Sequence, residues 1–543
     1  MKTLAFCRIL WYNVYMENRE MQTSNTEEMV TISRAEYEEL QAQSRRVSAL
    51  EQRVDMLMEA LRLARHKQFG TSSEKSDEAV AEQLSFLFNE AEVFAQDPQE
   101  KATVVAAHKR RKKHEYTLDS IPEGVPTEVV KHRLEGEALV CPACGDTLSE
   151  IGVEVVKKLR IEPIRFVVEE HRYHTYACQT CSKENIETPV AAAAREKSVI
   201  AGSFATPQAI AHIMTQKFVM GSPLYRQEQE LHRQGIQLSR QTMSNWILRA
   251  AEEYLAPVYE QLHRELLGRE VLHADETTLQ VLREPGRAPQ SESYMWLYRT
   301  GADTDRPIVL YEYQPGRGAK HPKAFLAGFR GYLHTDGYAG YHSLPEEITV
   351  VGCWAHARRK FDEAVKSLPK GKAKSGSAAQ GLAYCSKLFE LEQSLSDLSP
   401  QERYLQRLEQ EKPVLDAFLA WANTRTAAPK SALGKALTYL KEQWPYLVNY
   451  LRDGRLEISN NRAERSIKPF VIDRKNFLFA NTPKGATGSA VIFSMIQTAL
   501  ENQLDPYRYL TWLLQTACGL DMADPAVIQK LLPWQAPDIC KAK

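Results

Sequence analysis

Two short stretches constrain the fold more than any other part of the chain: "LHAD" at 272–275 and "LHTD" at 333–336. Each sets a His and then an Asp at the end of an apolar, strand-forming run. A carboxylate in that setting is costly to bury unless it is hydrogen-bonded or holds a cation. The first lies in "EVLHADETTLQVL", and the strand-like runs "YMWLYRT" and "IVLYEY" follow it. Then come a helical "KHPKAFLAGF", the strand "GYLHTDG", a short helix in "YAGYHSL", the strand "ITVVGCW" and the helix "AHARRKFDEAV". Asp336 by itself could be a turn residue, since Asp-Gly is a good turn signal. The repeated context and the strand order outweigh that alternative.

The order β-β-β-α-β-α-β-α, three meandering strands followed by α/β crossovers, is the ribonuclease H-like plan. Side by side, the two strands bring Asp275 and Asp336 to one end of the sheet. Hard oxygen ligands with open positions suit Mg²⁺ or Mn²⁺. Two such ions about 4 Å apart can activate an attacking oxygen and stabilise a leaving one in phosphoryl transfer. A third carboxylate is needed for the second ion. Glu276 points to the opposite face of its strand, and Glu346 and Glu347 sit in a loop. On physical grounds Glu464 stands level with Glu363, and the choice between them stays open. Asn461, three residues before Glu464, also has the spacing of a capping box.

Upstream, "CPACG" at 141–145 and "CQTC" at 178–181 are separated by 33 residues of β-rich sequence. Two such knuckles can set Cys141, Cys144, Cys178 and Cys181 tetrahedrally around a structural Zn²⁺, with no ligand position left open. The segment "SPLYRQEQELHRQGIQLSRQTMSNWILRA" has the form helix, turn, helix. Ser222 is expected to cap the first helix with Pro223 in its first turn, Gly235 to make the turn, and Ser239 to cap the second. Arg240, Gln241 and Asn245 then lie near the start of the second helix, where base edges would be reached. A seam of Leu40, Val47, Leu50, Val54, Leu57 and Leu61 at heptad spacing predicts a coiled coil and self-association.

Several of these motifs recur together in one known family. The chain resembles the DDE transposase of the insertion-sequence-66 family. The likeness is carried by "FGTSSEK", the four-Cys segment, "SRQTMSNW", "HADET", "TDGYAGY", "GCWAHARRKF" and "NNRAERSIKPFVIDRKNFLFA". The resemblance implies a metal-binding triad of Asp275, Asp336 and Glu464, with a helical insertion before the helix that bears the glutamate. Cys353 and His356 resemble a Cys-x-x-His signature of several DDE transposases and are expected to support the site, as are Asn460 and Asn461. Arg358, Arg359, Arg462, Arg465 and Lys468 are expected to contact DNA phosphates.

The expected fold is therefore multidomain α+β. A disordered extension is expected over 1–28 and a leucine-zipper-like coiled coil over 29–75. A linker with the basic run "HKRRKKH" spans 76–120, and the zinc-binding β domain 121–187. A helical DNA-binding region with the helix-turn-helix covers 188–262. The ribonuclease H-like catalytic core covers 263–485, with its helical insertion at about 370–450, and C-terminal helices run over 486–543. The expected activity is binding of an element's terminal inverted repeats, metal-dependent strand cleavage, and strand transfer into target DNA. Two ends would be paired through the coiled coil in a homo-oligomer, and the resemblance implies small helper proteins of the same element.

Composition narrows the class further. Of 543 residues, 69 are Lys or Arg and 69 Asp or Glu, so net charge is zero and any nucleic-acid footprint must be local. No apolar run is long enough to span a bilayer. The opening "MKTLAFCRILWYNVYMENREM" is a poor signal peptide, because Arg8 interrupts its apolar part. A cytoplasmic, nucleoid-associated protein is expected.

Overall fold

The structure is a computed structural model that describes residues 167–172, 175–177, 190–192, 197–368 and 376–542, with Glu39 and Gln43 as single helical positions. The four zinc-motif cysteines, all six residues of the heptad seam and the basic run at 108–114 lie outside the described residues. Next to the zinc motif, β1 (Thr175–Ala177) pairs antiparallel with β2 (Val190–Ala192).

Three helices follow: α1 (Pro207–Phe218), α2 (Leu224–Arg233) and α3 (Arg240–Ala250). Thr206 caps α1 by accepting from Ala209 N, and Ser239 caps α3 by accepting from Thr242 N. Gly235, with φ of +80°, makes the turn between α2 and α3, a conformation glycine adopts without a Cβ penalty. The expected cap of α2 is not formed. Pro223 occupies its N-cap position with no side-chain bond, and Ser222 instead offers its carbonyl to Gln227 Nε2 at 2.9 Å. Met243, Trp246, Ile247 and Ala250 turn inward from α3 and bury its apolar face.

After α4 (Ala256–Leu267) the chain enters a five-stranded sheet. Its strands are β3 (Val271–Gln280), β4 (Glu292–Thr300), β5 (Val309–Gln314), β6 (Gly331–His334) and β7 (Ile348–Val351). The spatial order is β5-β4-β3-β6-β7. β3, β4 and β5 form an antiparallel meander, while β6 and β7 run parallel to β3. The intervening helix α5 (Lys320–Phe325) and the 3₁₀ turn Ala339–Ser343 fall where the sequence predicts helices. Gly331 opens β6 with φ of +144°, and a Cβ there would collide with Glu270 O. That close approach lets Tyr332 N reach Glu270 O at 2.8 Å and sets the β3–β6 register.

The exposed edge of β5 is covered by side chains from a helix. Ser494 and Thr498 of α12 (Pro483–Glu501) accept from Tyr311 N at 2.7 Å and Val309 N at 3.0 Å. Thr498 Oγ1 also donates to Val309 O. Backbone groups that would otherwise invite a further strand are thereby satisfied. α11 (Asn461–Phe477) lies on the same face of the sheet, bonded to β3 and β4 through Arg474 and Arg299. α13 (Pro506–Ala517) begins, as expected, at a cap by Asp505 with Pro506 in its first turn.

Two compact units divide the chain. One gathers residues 356–396 and 406–444 among those described, and the other holds the sheet, α1 to α4 and the C-terminal helices. The first includes most of α6 (Trp354–Lys366), α7 (Ser377–Ser394), α9 (Lys412–Thr424) and most of α10 (Ala432–Leu447); the short α8 (Pro400–Gln406) falls largely in the second. An aromatic cluster of Phe361, Tyr384, Phe418 and Trp421 makes its centre, with Gly381 leaving room for the Phe361 ring. Arg407, fully buried, is neutralised by Glu392 at 2.5 Å.

Candidate active site

The two "LH-x-D" motifs meet in the sheet. β3 and β6 pair with His273 opposite His334, and the two imidazoles stack with centroids 4.3 Å apart and planes 11° from parallel. Asp275 and Asp336 each lie two residues beyond the stacked pair; Asp275 is in the middle of β3, not at its end as the sequence suggests, while the shorter β6 has already ended before Asp336. Asp275 Oδ1 accepts from Glu276 N at 2.8 Å, and Asp336 Oδ1 accepts from Tyr338 N at 2.8 Å. Strand alternation turns His273 and Asp275 toward α11 and sends Glu276 to the other face.

Glu464 is in the first turn of α11 and 6% exposed. The residue before that helix fixes its position. Asn460 Nδ2 donates to Ala274 O at 2.8 Å, its Oδ1 lies 3.0 Å from His273 Nδ1, and its backbone N–H reaches Cys353 Sγ at 3.2 Å. The capping box read from Asn461 and Glu464 is not formed. Asn461 is already helical, Asn460 holds the N-cap position, and its side chain is spent on β3 rather than on the helix. Cys353 thus supports the approach to α11, and its Sγ lies within 4.8 Å of a Glu464 carboxylate oxygen.

The electrostatics are those of crowded anions. Burial raises the Asp275 carboxyl well above its ordinary range, and the charges of Glu276, Asp336 and Glu464 push it further. Glu276 is pushed to about 7 by burial and then by Asp336, against the pull of Arg317 and Tyr341. Burial keeps His273 well below the usual imidazole range, and Arg299, Arg462 and Arg465 add to that, so it is neutral. Asn460 Oδ1 can only accept, so the His273 proton sits on Nδ1.

The other carboxylates weighed for the third position differ from Glu464. Glu346 and Glu347 are exposed. The Glu363 side chain is 59% exposed and pairs at 3.9 Å with Arg359 in its own helix. His356 is buried in the first turn of α6 and held neutral by burial and by Arg359 and Lys360. Among the expected phosphate contacts, Arg465 is exposed, Arg358 and Lys468 are half-buried, and Arg462 pairs with Glu457 at 2.6 Å. Arg240, Gln241 and Asn245 project outward from α3; Gln241 bonds Asn245 at 3.0 Å, and Arg240 lies 3.9 Å from Glu228.

Sequence reading missed two groups. Arg317, in the loop after β5, binds Glu276 and approaches Asp336 to 4.0 Å. Arg299 of β4, 2% exposed, joins Glu501 and Ser466. Neither arginine lies in a motif, so only the fold reveals them.

The sequence model described as "Transposase IS66 family" matches residues 202–488, more than half of the chain and all of the site. The chain belongs to the IS66 transposase family. A model described as "zinc-finger binding domain of transposase IS66" matches residues 139–182, which include all four motif cysteines. A third, "Transposase C of IS166 homeodomain", matches 56–130. Two similar chains come from Sinorhizobium fredii. Uncharacterized protein y4hP is 29% identical over 512 residues, 90% of this chain and 89% of that one. Uncharacterized protein y4qI is 31% identical over 506 residues, 89% of each. Membership of the IS66 family implies action on DNA with a divalent cation, and the zinc-finger match implies bound zinc. Among the described residues no helix is long and apolar enough to cross a membrane.

Proposed function

We propose that this chain is the catalytic transposase of an insertion sequence, cutting the element's ends and joining them to target DNA. The observation that carries the reading is the in-register pair of "LH-x-D" motifs, with Asp275 sharing the electrostatic field of Asp336 and Glu464. Burying carboxylates within each other's field is costly without a cation, and their all-oxygen chemistry suits Mg²⁺ or Mn²⁺. The strand order β5-β4-β3-β6-β7 supports the reading of this unit as a ribonuclease H-like core, in keeping with this chemistry.

Asp275, Asp336 and Glu464 would hold the divalent ions, two in the full site. When bound, such ions activate the attacking oxygen and stabilise the leaving one during in-line displacement. The chain's own residues do the rest. Asn460 and Cys353 orient the start of α11, and so the Glu464 carboxylate. Water attacks in the cleavage step and the freed 3′ hydroxyl attacks target DNA in the transfer step, with no covalent link to the protein. Arg240, Gln241 and Asn245 on α3, together with the zinc-finger segment, would read the terminal inverted repeats. Arg358, Arg359, Arg462, Arg465 and Lys468 would meet phosphates. The segment 29–75 would pair two ends in a homo-oligomer, and helper proteins of the element would join that complex in the cytoplasm.

A strand-transfer assay tests this. Precut duplexes ending in the inverted repeats that bracket the gene, incubated with the protein, Mn²⁺ and plasmid, should yield joined molecules. Cut but never joined DNA would make the protein a nuclease instead.

A further inference from the structure

Glu276 is a buried charge that the proposed chemistry does not use. Its side chain is 1% exposed, on the face of β3 opposite Asp275. Tyr341 donates to its Oε2 at 2.6 Å, and Arg317 Nε donates to its Oε1 at 2.7 Å. For stability alone an apolar residue would serve as well, because a buried ion pair seldom repays its desolvation. What the pair achieves is to lock one edge of the Arg317 guanidinium. That group stacks on the Tyr338 ring at 3.9 Å, and the Tyr338 hydroxyl donates to Arg317 O. The backbone N–H of Tyr338 is the one that holds Asp336. Arg317 is nevertheless 41% exposed, with Nη2 4.0 Å from Asp336 Oδ2. A rigid, half-open guanidinium beside a metal-type carboxylate has N–H donors left for an incoming anion, in the fork geometry that fits phosphate oxygens.

We infer that Arg317 binds a phosphate of the DNA strand brought to Asp275 and Asp336, and that Glu276 is the counter-ion that fixes its guanidinium. This rests on the transposase reading above. It accounts for how a site of three metal-type carboxylates admits a polyanion: Glu276 holds one edge of the arginine, and the guanidinium stays half-exposed beside Asp336, where it offsets part of the negative charge. It also separates Arg317 from a mere prop for Asp336. A prop, once removed, weakens metal binding. A phosphate ligand, once removed, slows the reaction while metal binding is unchanged or tighter, since a competing cation has gone.

The test uses the full chain, a duplex carrying the inverted repeat from the DNA flanking the gene, and Mn²⁺. Arg317→Ala should cut about a hundredfold more slowly at saturating DNA and metal, the loss typical of removing one fixed electrostatic donor. Its half-saturating Mn²⁺ concentration should equal or fall below that of wild type. Arg317→Lys, which keeps the charge, should recover part of the rate, and it decides the matter should the alanine variant not fold. Glu276→Gln, which keeps the Tyr341 contact, should lose about tenfold with the same metal signature. Wild-type turnover in Arg317→Ala, or a loss that disappears at high Mn²⁺, would overturn the inference while leaving the transposase reading intact. If the wild-type chain neither binds nor cuts the duplex, that reading fails and this inference falls with it.

Discussion

Asn460 clasps His273: its Oδ1 lies 3.0 Å from the buried imidazole Nδ1, while its Nδ2 binds the carbonyl of Ala274. One side chain thus joins the strand that bears Asp275 to the helix that bears Glu464, across 187 residues of sequence. Asn460→Ala would orphan a buried ring N–H and a buried carbonyl. Each such group costs about 1–3 kcal/mol. The expected outcome is a stability loss of about 2–4 kcal/mol in urea unfolding, together with strongly reduced DNA cleavage. Asn460→Asp keeps the acceptor for His273 but sets an oxygen against Ala274 O, so it should recover only part of either.

Asp275 should trade activity against stability. Its ionised form is disfavoured by burial and by Glu276, Asp336 and Glu464. Asp275→Asn removes one of the repelling charges at nearly constant volume. In chelator at neutral pH the variant should melt higher than wild type, and it should still bind DNA yet not cut it. Added Mg²⁺ should raise the melting temperature of the wild type, by ligand linkage, and leave that of the variant nearly unchanged. A variant that melts lower in chelator would show that the crowding of carboxylates is not costly.

These two residues also mark where the sequence was legible and where it was not. Asp275 and Asp336 stood out because a local rule, a carboxylate directly after a short apolar run and a His, singles each out, and strand order alone brings β3 beside β6, although β3 runs on past Asp275 to Gln280. Glu464 did not stand out, because its local setting also fits an ordinary helix start; family likeness, not spacing, ranked it above Glu363. Asn460 is expected to support the site, but the cap is expected at Asn461; cap patterns are local, and the bond that Asn460 makes is to a strand far away in sequence. Arg317 and Arg299 carried no signal, because a lone arginine in a loop or strand looks the same whether solvated or buried against a distant glutamate.

Glu312, on β5, should make stability depend on pH. Burial pushes its carboxyl up to about 7, with Gln314 pulling the other way. Its Oε1 accepts from Gln314 Nε2 at 2.7 Å, and its Oε2 is buried with no hydrogen-bond partner. The folded-state value lies above the unfolded one, so the folded chain holds this proton more tightly. That contribution is complete below about pH 4.5 and is lost as pH rises through about 7. Glu312→Gln removes the titration. At pH 8 it should stabilise the chain by on the order of 2–3 kcal/mol, and the gain should vanish near pH 4. An equal gain at both ends of a pH series of urea melts would rule out burial of the charge as its source.

Arg299 should be the most sensitive single position in the frame that holds α11. Its guanidinium is 2% exposed; it forks onto Glu501 at 2.9 and 3.0 Å and also bonds Ser466, two residues beyond Glu464 on α11. Arg299→Met leaves Glu501 without its partner. Breaking a buried pair from one side costs about 3–5 kcal/mol, and the 35% exposure of Glu501 lowers that to about 2–3 kcal/mol. Arg299→Met with Glu501→Leu removes both charges and should recover most of the loss, because two apolar side chains can pack where the ion pair stood. The cycle should also separate stability from function. If the double variant regains its urea midpoint but not its cleavage rate, the bond to Ser466 is what holds Glu464 in register with the sheet; if both return together, the arginine serves the fold alone.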